Sequence, residues 1–291
     1  MARWMLGAVA GTALVGLVVV ALVLTGDSPD RPPPPDRTAP DRSAPDRSLL
    51  VIAHRGASAY APHDTVAAAR EALERGADVL EADVRQTRDG RLVALFNATL
   101  APTTDVEQVF PRRAPWKVED FTLAEVRRLD AGSWFGPRFA GERIPTLTEL
   151  ARTVKGSGVR LIIDAKSPQR YPGVTGRVAR VVRGSPGLYL EVESFDWGFL
   201  RRLAGLGLPA DIGLTGTPPP EGLDRASSYA DAVNPSLSTV DAAYVARAHR
   251  AGLDVKVWSV NERAGMRRAI RMGVDGIYSH RPDLLRDVLG R

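Results

Sequence analysis

Beyond Ser48 the chain alternates short apolar runs, each closed by turn residues, with stretches whose apolar positions recur at helical spacing. That alternation is what a parallel sheet wound with crossover helices requires, and it leaves few other architectures open. The strand candidates are 49–54, 78–84, 91–96, 159–166, 188–194, 210–215, 231–234, 254–260 and 275–279. Helical spacing falls at 65–75, 122–129, 146–155, 174–183, 196–204, 239–250, 262–272 and 282–289, with Asp64 as the expected N-cap of the first and Gly76 and Gly252 as helix stops. Residues 49–291 therefore read as one α/β domain, a (β/α)8 TIM barrel, with a doubly wound open sheet as the alternative. Nine strand candidates exceed the eight that a barrel closes with, and the sequence does not say which is the extra one.

The first 48 residues follow another rule. Met5–Leu24 runs for twenty residues without a charge, enough to cross about 30 Å of hydrocarbon as a helix. A cleaved signal peptide is the rival, but Ala21–Gly26 offers no clean cleavage site. Arg3 precedes the segment and Asp27 and Asp30 follow it, so residues 1–26 read as a single-pass cell-membrane anchor with the domain on the extracytoplasmic side. Residues 27–48 repeat Pro-Asp-Arg at Pro29, Pro35, Pro40 and Pro45, a semi-stiff disordered linker. Arg3, Arg31, Arg37, Arg42 and Arg47 balance Asp27, Asp30, Asp36, Asp41 and Asp46, so the net charge of +5 belongs to the domain. The chain has no cysteine, which excludes disulfides and thiolate metal sites. No glycine loop that would cradle a nucleotide and no nucleic-acid module is present.

In a barrel, chemistry sits where strands end. LLVIAHRG places His54 and Arg55 at the first strand's tip, with Gly56 expected to let a ligand approach the backbone. In DVLEADV, Glu81 and Asp83 are two apart on a strand and share a face. Two inward carboxylates repel unless a cation lies between them, and oxygen ligands suit Mg2+ or Ca2+. In RLIIDAK the same face carries Asp164, a third oxygen ligand, and Lys166, a positive charge for a phosphate. Glu191 and Glu193 also share a face, with outward, solvated placement as the default. Trp134 and Phe135 could cap the pocket or pack on their own loop.

These motifs resemble the glycerophosphodiester phosphodiesterase family. AHRGASAYAP at 53–62, GADVLEADVRQTRDG at 76–90, LDAGSWF at 129–135, GERIPTL at 141–147, LIIDAK at 161–166, VNPS at 233–236, VWSVN at 257–261 and GVDGIYSHRPD at 273–283 occur in the family's order. The resemblance implies a barrel that uses a divalent metal to hydrolyse glycerophosphodiesters to an alcohol and glycerol 3-phosphate. It implies Glu81, Asp83 and Asp164 as metal ligands, with Asp164 where the family usually has glutamate. His54 would be the first catalytic histidine, Arg55 and Lys166 the phosphate contacts, and Trp258 part of the pocket wall. The implied partners are a small phosphodiester or a lipid headgroup, with no nucleic acid.

The family's His-Asp-x-Thr-Leu at the third strand is Phe96-Asn97-Ala98-Thr99-Leu100 here, its Glu-Asn-Thr is His63-Asp64-Thr65, and its aspartate before Arg-Pro-Asp is His280. Hydrolysis needs one group to deprotonate the nucleophile and one to protonate the leaving oxygen, and Phe96 does neither. Either His63 or His280 replaces the missing histidine, or the leaving group departs unaided, or the barrel binds headgroups or glycerophosphate polymers without turnover. Inward carboxylates that no longer bound metal would cost stability, which favours a retained cation.

Overall fold

The computed structural model of the protein describes residues 48–291. All nine strand candidates form: β1 (Leu50–Ala53), β2 (Val79–Gln86), β3 (Leu92–Ala94), β4 (Arg160–Ala165), β5 (Leu190–Ser194), β6 (Asp211–Thr215), β7 (Ala232–Asn234), β8 (Asp254–Val257) and β9 (Gly276–Ser279). Eight pair in parallel as β1-β2-β4-β5-β6-β7-β8-β9, and β9 returns to β1, so the sheet closes. This is the TIM barrel rather than the open sheet. The extra strand is β3, which folds back antiparallel on β2 with Gln86 opposite Leu92 and Val84 opposite Ala94. The hairpin returns the chain to the mouth: Leu95 N donates to Asp83 O, and Phe96 follows.

The helices among the described residues are α1 (Val66–Glu74), α2 (Val106–Val109), α3 (Leu123–Val126), α4 (Leu147–Val154), α5 (Val174–Arg183), α6 (Trp197–Ala204), α7 (Leu223–Ser227), α8 (Ala242–Arg250), α9 (Arg263–Met272) and α10 (Pro282–Leu289). Their apolar faces cover the outer face of the barrel, where Leu80, Ala82, Leu161, Ile163, Leu190, Val192, Ile212, Leu214, Val255 and Ile277 are buried. Gly76 and Gly252 stop α1 and α8 as expected, at φ +70° and +82°. Asp64 is not the N-cap of α1. Thr65 is, with Oγ1 accepting from Ala68 N at 3.2 Å, which frees Asp64 for the site. Gly56 serves a different end from the one its sequence suggests. At φ +78° a Cβ there would lie 2.7 Å from Ala68, so the missing side chain admits α1 rather than a ligand.

No helix among the described residues is long and apolar enough to cross a membrane. The expected anchor at residues 1–26, and the linker up to residue 47, lie outside the described residues.

Between β3 and α4 the chain inserts a small layer with its own core of Val93, Leu95, Leu100, Val106, Val118, Phe121, Val126, Leu129, Ala131 and Ile144. Asp130 ties that layer together. Its Oδ1 accepts from Gly132 N and Ser133 N, both at 2.8 Å, and its Oδ2 from Ser133 Oγ at 2.9 Å and Gly141 N at 2.7 Å. Burial opposes the charge, but these donors outweigh it and hold the carboxyl well below its usual range. Asp130→Asn is expected to cost about 2 kcal/mol, a Tm drop of roughly 4–8 °C by circular dichroism. The wild-type advantage is full above the unfolded pKa near 4. It drains as pH falls toward the depressed folded value, so the two melting curves should converge in acid.

Candidate active site

Period-2 alternation inside a closed sheet puts alternate residues of every strand on the axis. The inner face holds Ile52, Val79, Ile162 and Tyr278 as a short apolar layer, with the buried charges above and beside it. Asp83 lies opposite Asp164, and Asp164 opposite Glu193, in the registers of β2, β4 and β5.

Glu81, Asp164 and Glu193 each bring one oxygen to within 4.8 Å of the others, and all three are buried. Glu81 Oε1 and Asp164 Oδ1 are buried without a hydrogen-bond partner. Burial first, then the charges of Asp83 and Glu193, push Glu81 well above the usual carboxylate range. Burial and Asp164 push Glu193 up to about 8, and burial raises Asp164 too. Orphaned acidic oxygens that repel one another at this spacing fit a hard divalent cation.

Asp83, the other expected ligand, is also buried with neither oxygen in a hydrogen bond. Asp83 is spanned by two cations: Oδ2 lies 2.7 Å from Arg55 Nε and Oδ1 2.7 Å from Lys166 Nζ. Lys166 also lies 2.5 Å from Asp164 Oδ2. Burial alone would depress the lysine, but Asp83, Asp164 and Glu81 outweigh it and raise it, so it stays charged. Glu191 and Glu193 face the interior, at 4% and 3% exposure, contrary to the outward placement expected. The signal was in LEVES itself. Leu190 and Val192 must pack beneath the helices, which leaves only the axis for the glutamates.

Arg55 occupies the left-handed region at φ +58°, and its N–H donates to Glu81 Oε2 at 2.7 Å. Its guanidinium lies 3.5 Å over the ring of Phe96, whose centroid is 5.5 Å from Lys166 Nζ. Phe96 thus lies against Arg55 and Lys166, the two cations expected to contact phosphate, and its own carbonyl is fixed by Arg85.

Three of the four histidines meet at the mouth. His54 Nδ1 lies 2.9 Å from Ser259 Oγ and 3.0 Å from His280 Nε2, while its Nε2 is 3.8 Å from Glu81 Oε2. With the proton on Nδ1, Nε2 carries the lone pair on the carboxylate side. Burial, then Arg55, His280 and Lys166, hold His54 well below its ordinary value, so it is neutral at pH 7. His280, pushed down to about 4 by burial and Arg55, stacks on His54 at 4.9 Å. It backs the first histidine rather than filling the vacated place.

His63 lies on the vacated side. Its ring is 6.5 Å from that of Phe96 and 5.2 Å from that of Trp134. His63 Nδ1 is 3.1 Å from Asp64 Oδ2, and Asp64 is fixed in turn at φ +60°, its Oδ1 accepting from Asp83 N at 3.0 Å. Trp134 is 43% exposed, with its indole N–H on Ala131 O, so it forms part of the rim. Trp258 donates to Asn234 O at 2.7 Å, and its ring meets Phe195, which is 61% exposed and which the sequence had not singled out. A cleft of about 500 Å3 runs from Lys166 past Phe96, Pro168 and Ser194 to Phe195.

The sequence model described as "Glycerophosphoryl diester phosphodiesterase family" matches residues 54–284. A glycerophosphodiester phosphodiesterase of Caldanaerobacter subterraneus subsp. tengcongensis is 34% identical over 242 residues, covering 81% of this chain and 96% of that one. One of Bacillus subtilis is 30% identical over 262 residues, covering 82% and 86%. Among solved structures, an Oleispira antarctica phosphodiesterase in complex with the product sn-glycerol-3-phosphate has a TM-score of 0.75 at 26% identity, covering 82% of this chain and 96% of that one. The glycerophosphodiester phosphodiesterase of Agrobacterium tumefaciens gives 0.70 at 27% identity, over 82% and all of that chain. The barrel, its mouth of acids, cations and histidines, and a sequence match spanning nearly every strand agree, and the chain belongs to the glycerophosphoryl diester phosphodiesterase family.

Proposed function

We propose that the chain hydrolyses glycerophosphodiesters to glycerol 3-phosphate and an alcohol, with a divalent cation and with His54 and His63 as its two proton carriers. The observation that carries this reading is the His63–Asp64 pair beside Phe96, which supplies an oriented imidazole where the family's second histidine is missing. The product bound to the Oleispira enzyme and the names of the two relatives support the substrate class.

Arg55 and Lys166 hold the phosphate oxygens, and Asp83 between them keeps both in place. Neutral His54 takes a proton from the attacking water at Nε2 as the new phosphorus–oxygen bond forms. The bond to the alcohol breaks, and the leaving oxygen takes its proton from His63, whose Nδ1 is fixed on Asp64. When bound between Glu81, Asp164 and Glu193, Mg2+ or Ca2+ would polarise the phosphoryl group. Phe195, Trp258 and Trp134 form an aromatic rim for the alcohol or lipid headgroup.

Release of glycerol 3-phosphate from glycerophosphocholine by the full chain is expected in Mg2+ or Ca2+ and should vanish with a chelator. Phe96 favours a second reading, a barrel that binds the diester without cleaving it. Saturable binding with no product in either metal would establish that one. From the sequence of residues 1–26 we also place the barrel outside the cell membrane, so protease added to intact cells is expected to remove it.

A further inference from the structure

We infer that the cleft beside Phe96 is the subsite for the departing alcohol, and that Arg85 makes it select alcohols that carry an anionic group of their own, a phosphate or a carboxylate. This subsite rests on the proposed hydrolysis and adds to it which diesters the chain takes.

Leu80, Ala82 and Val84 of β2 belong to the core beneath the helices, so Glu81, Asp83 and Arg85 share the inner face. Arg85 stands above the two acids, only 8% exposed. Its hydrogen bonds go to neutral oxygens: Nε and Nη2 donate to Phe96 O at 2.9 and 2.7 Å, and Nη1 reaches Tyr171 Oη at 3.4 Å. A guanidinium has five N–H groups, and two oxygens do not use them all. Arg55 and Lys166 are each held against Asp83, and Lys166 against Asp164 as well. Of the three cations around Phe96, Arg85 is the one with no acid paired to it among the described residues. A buried cation without a counter-charge costs stability, and an entering anion removes that cost.

Arg85 lines the cleft of about 500 Å3 together with Phe96, Lys166, Ser167, Gln169 and Phe195. Lys166 holds the phosphate in the proposed reaction, so a diester gripped there extends one arm into the cleft. Phe96 stands on the side of the leaving oxygen, which makes that arm the departing alcohol. An anionic group on the alcohol would meet the N–H groups that Phe96 and Tyr171 leave unused, in charge-assisted hydrogen bonds. A choline arm brings a positive charge toward Arg85 instead. Asp196 also lines the cleft, but it caps α6, with Oδ1 accepting from Phe199 N at 2.8 Å, and the positive end of that helix offsets its charge.

The test uses diesters that differ only in the departing alcohol: glycerophosphocholine, glycerophosphoserine and glycerophosphoglycerol 3-phosphate. Their binding is measured by calorimetry on the full chain carrying His54→Ala, which slows turnover, and kcat/KM is measured on the wild type. Affinity is expected to rise from choline to serine to the phosphate ester, about tenfold or more from first to last, and the margin should shrink as salt is added. Arg85→Gln should draw the three affinities together, whereas an arginine that only braces Phe96 would lower all three by one factor and keep their ratios. Arg85→Lys keeps the charge but not the paired grip on the Phe96 carbonyl, and it should keep the ranking. If Arg85→Gln fails to fold, the ranking in the arginine-bearing chain and its salt dependence decide the matter. Choline bound as tightly as the phosphate ester, or a ranking that survives Arg85→Gln, overturns the inference. A wild type that cleaves none of the three while the ranking of affinities holds overturns the hydrolytic reading alone, which is a separate outcome.

Discussion

His54→Ala is expected to lower kcat for glycerophosphocholine by roughly 10²- to 10⁴-fold, with metal affinity unchanged. The magnitude follows from the position of the ring. His54 N donates to Ser279 O at 3.0 Å, so the backbone places the imidazole over the carboxylates, and Ser259 and His280 fix its rotation through Nδ1. Alanine removes the proposed base without disturbing a proposed metal ligand, because the nearest, Glu81 Oε2, is 3.8 Å away and also accepts from Arg55 N. His280→Ala should cost less, about tenfold in kcat, since His54 keeps Ser259. Steady-state rates and calorimetry on the same preparations check both. A His54→Ala enzyme as fast as wild type would show that another group takes the proton.

Much of this site is legible in the sequence, and the illegible parts have specific causes. Glu81, Asp83, Asp164 and Lys166 can be placed on shared faces because strand side chains alternate with a period of two. That period gives the pairing but not which face is inside, and this is where Glu191 and Glu193 were misplaced. The deciding fact lies in distant strands: Asn234, Lys256 and Tyr278 come from β7, β8 and β9, and only together do they make an interior place for two more glutamates. Asp64 was lost to a local rule. An acid ahead of a helix reads as a cap, but Thr65 performs that role and a left-handed backbone turns Asp64 toward Asp83 and His63. The surplus strand could not be identified because β3 has the same apolar run as a barrel stave. Its antiparallel pairing depends on the five-residue turn after Gln86, whose hydrogen bonds join Thr87 to Arg91.

That hairpin sets the second prediction, because it delivers Phe96 where an imidazole would serve the leaving group. If His63 on Asp64 carries that role, His63→Ala should lower kcat on glycerophosphocholine by about 10²- to 10³-fold. The same variant should lose little on a p-nitrophenyl phosphodiester, whose leaving oxygen departs without a proton. Phe96→His in the His63→Ala background then places a ring beside Lys166 and Arg55, next to the emptied His63 position. It should recover at least tenfold of the loss on the choline substrate and none on the nitrophenyl one. Some cost in KM is expected, because the ring stacked 3.5 Å from the Arg55 guanidinium is exchanged for one that stacks less well. Equal losses on both substrates would mean that His63 only shapes the pocket, and absence of recovery with an intact fold would mean that the vacated position no longer faces the leaving oxygen. Recovery confined to the poor leaving group requires that proton delivery, and not phosphate binding, is what the exchange of histidine for Phe96 moved to His63.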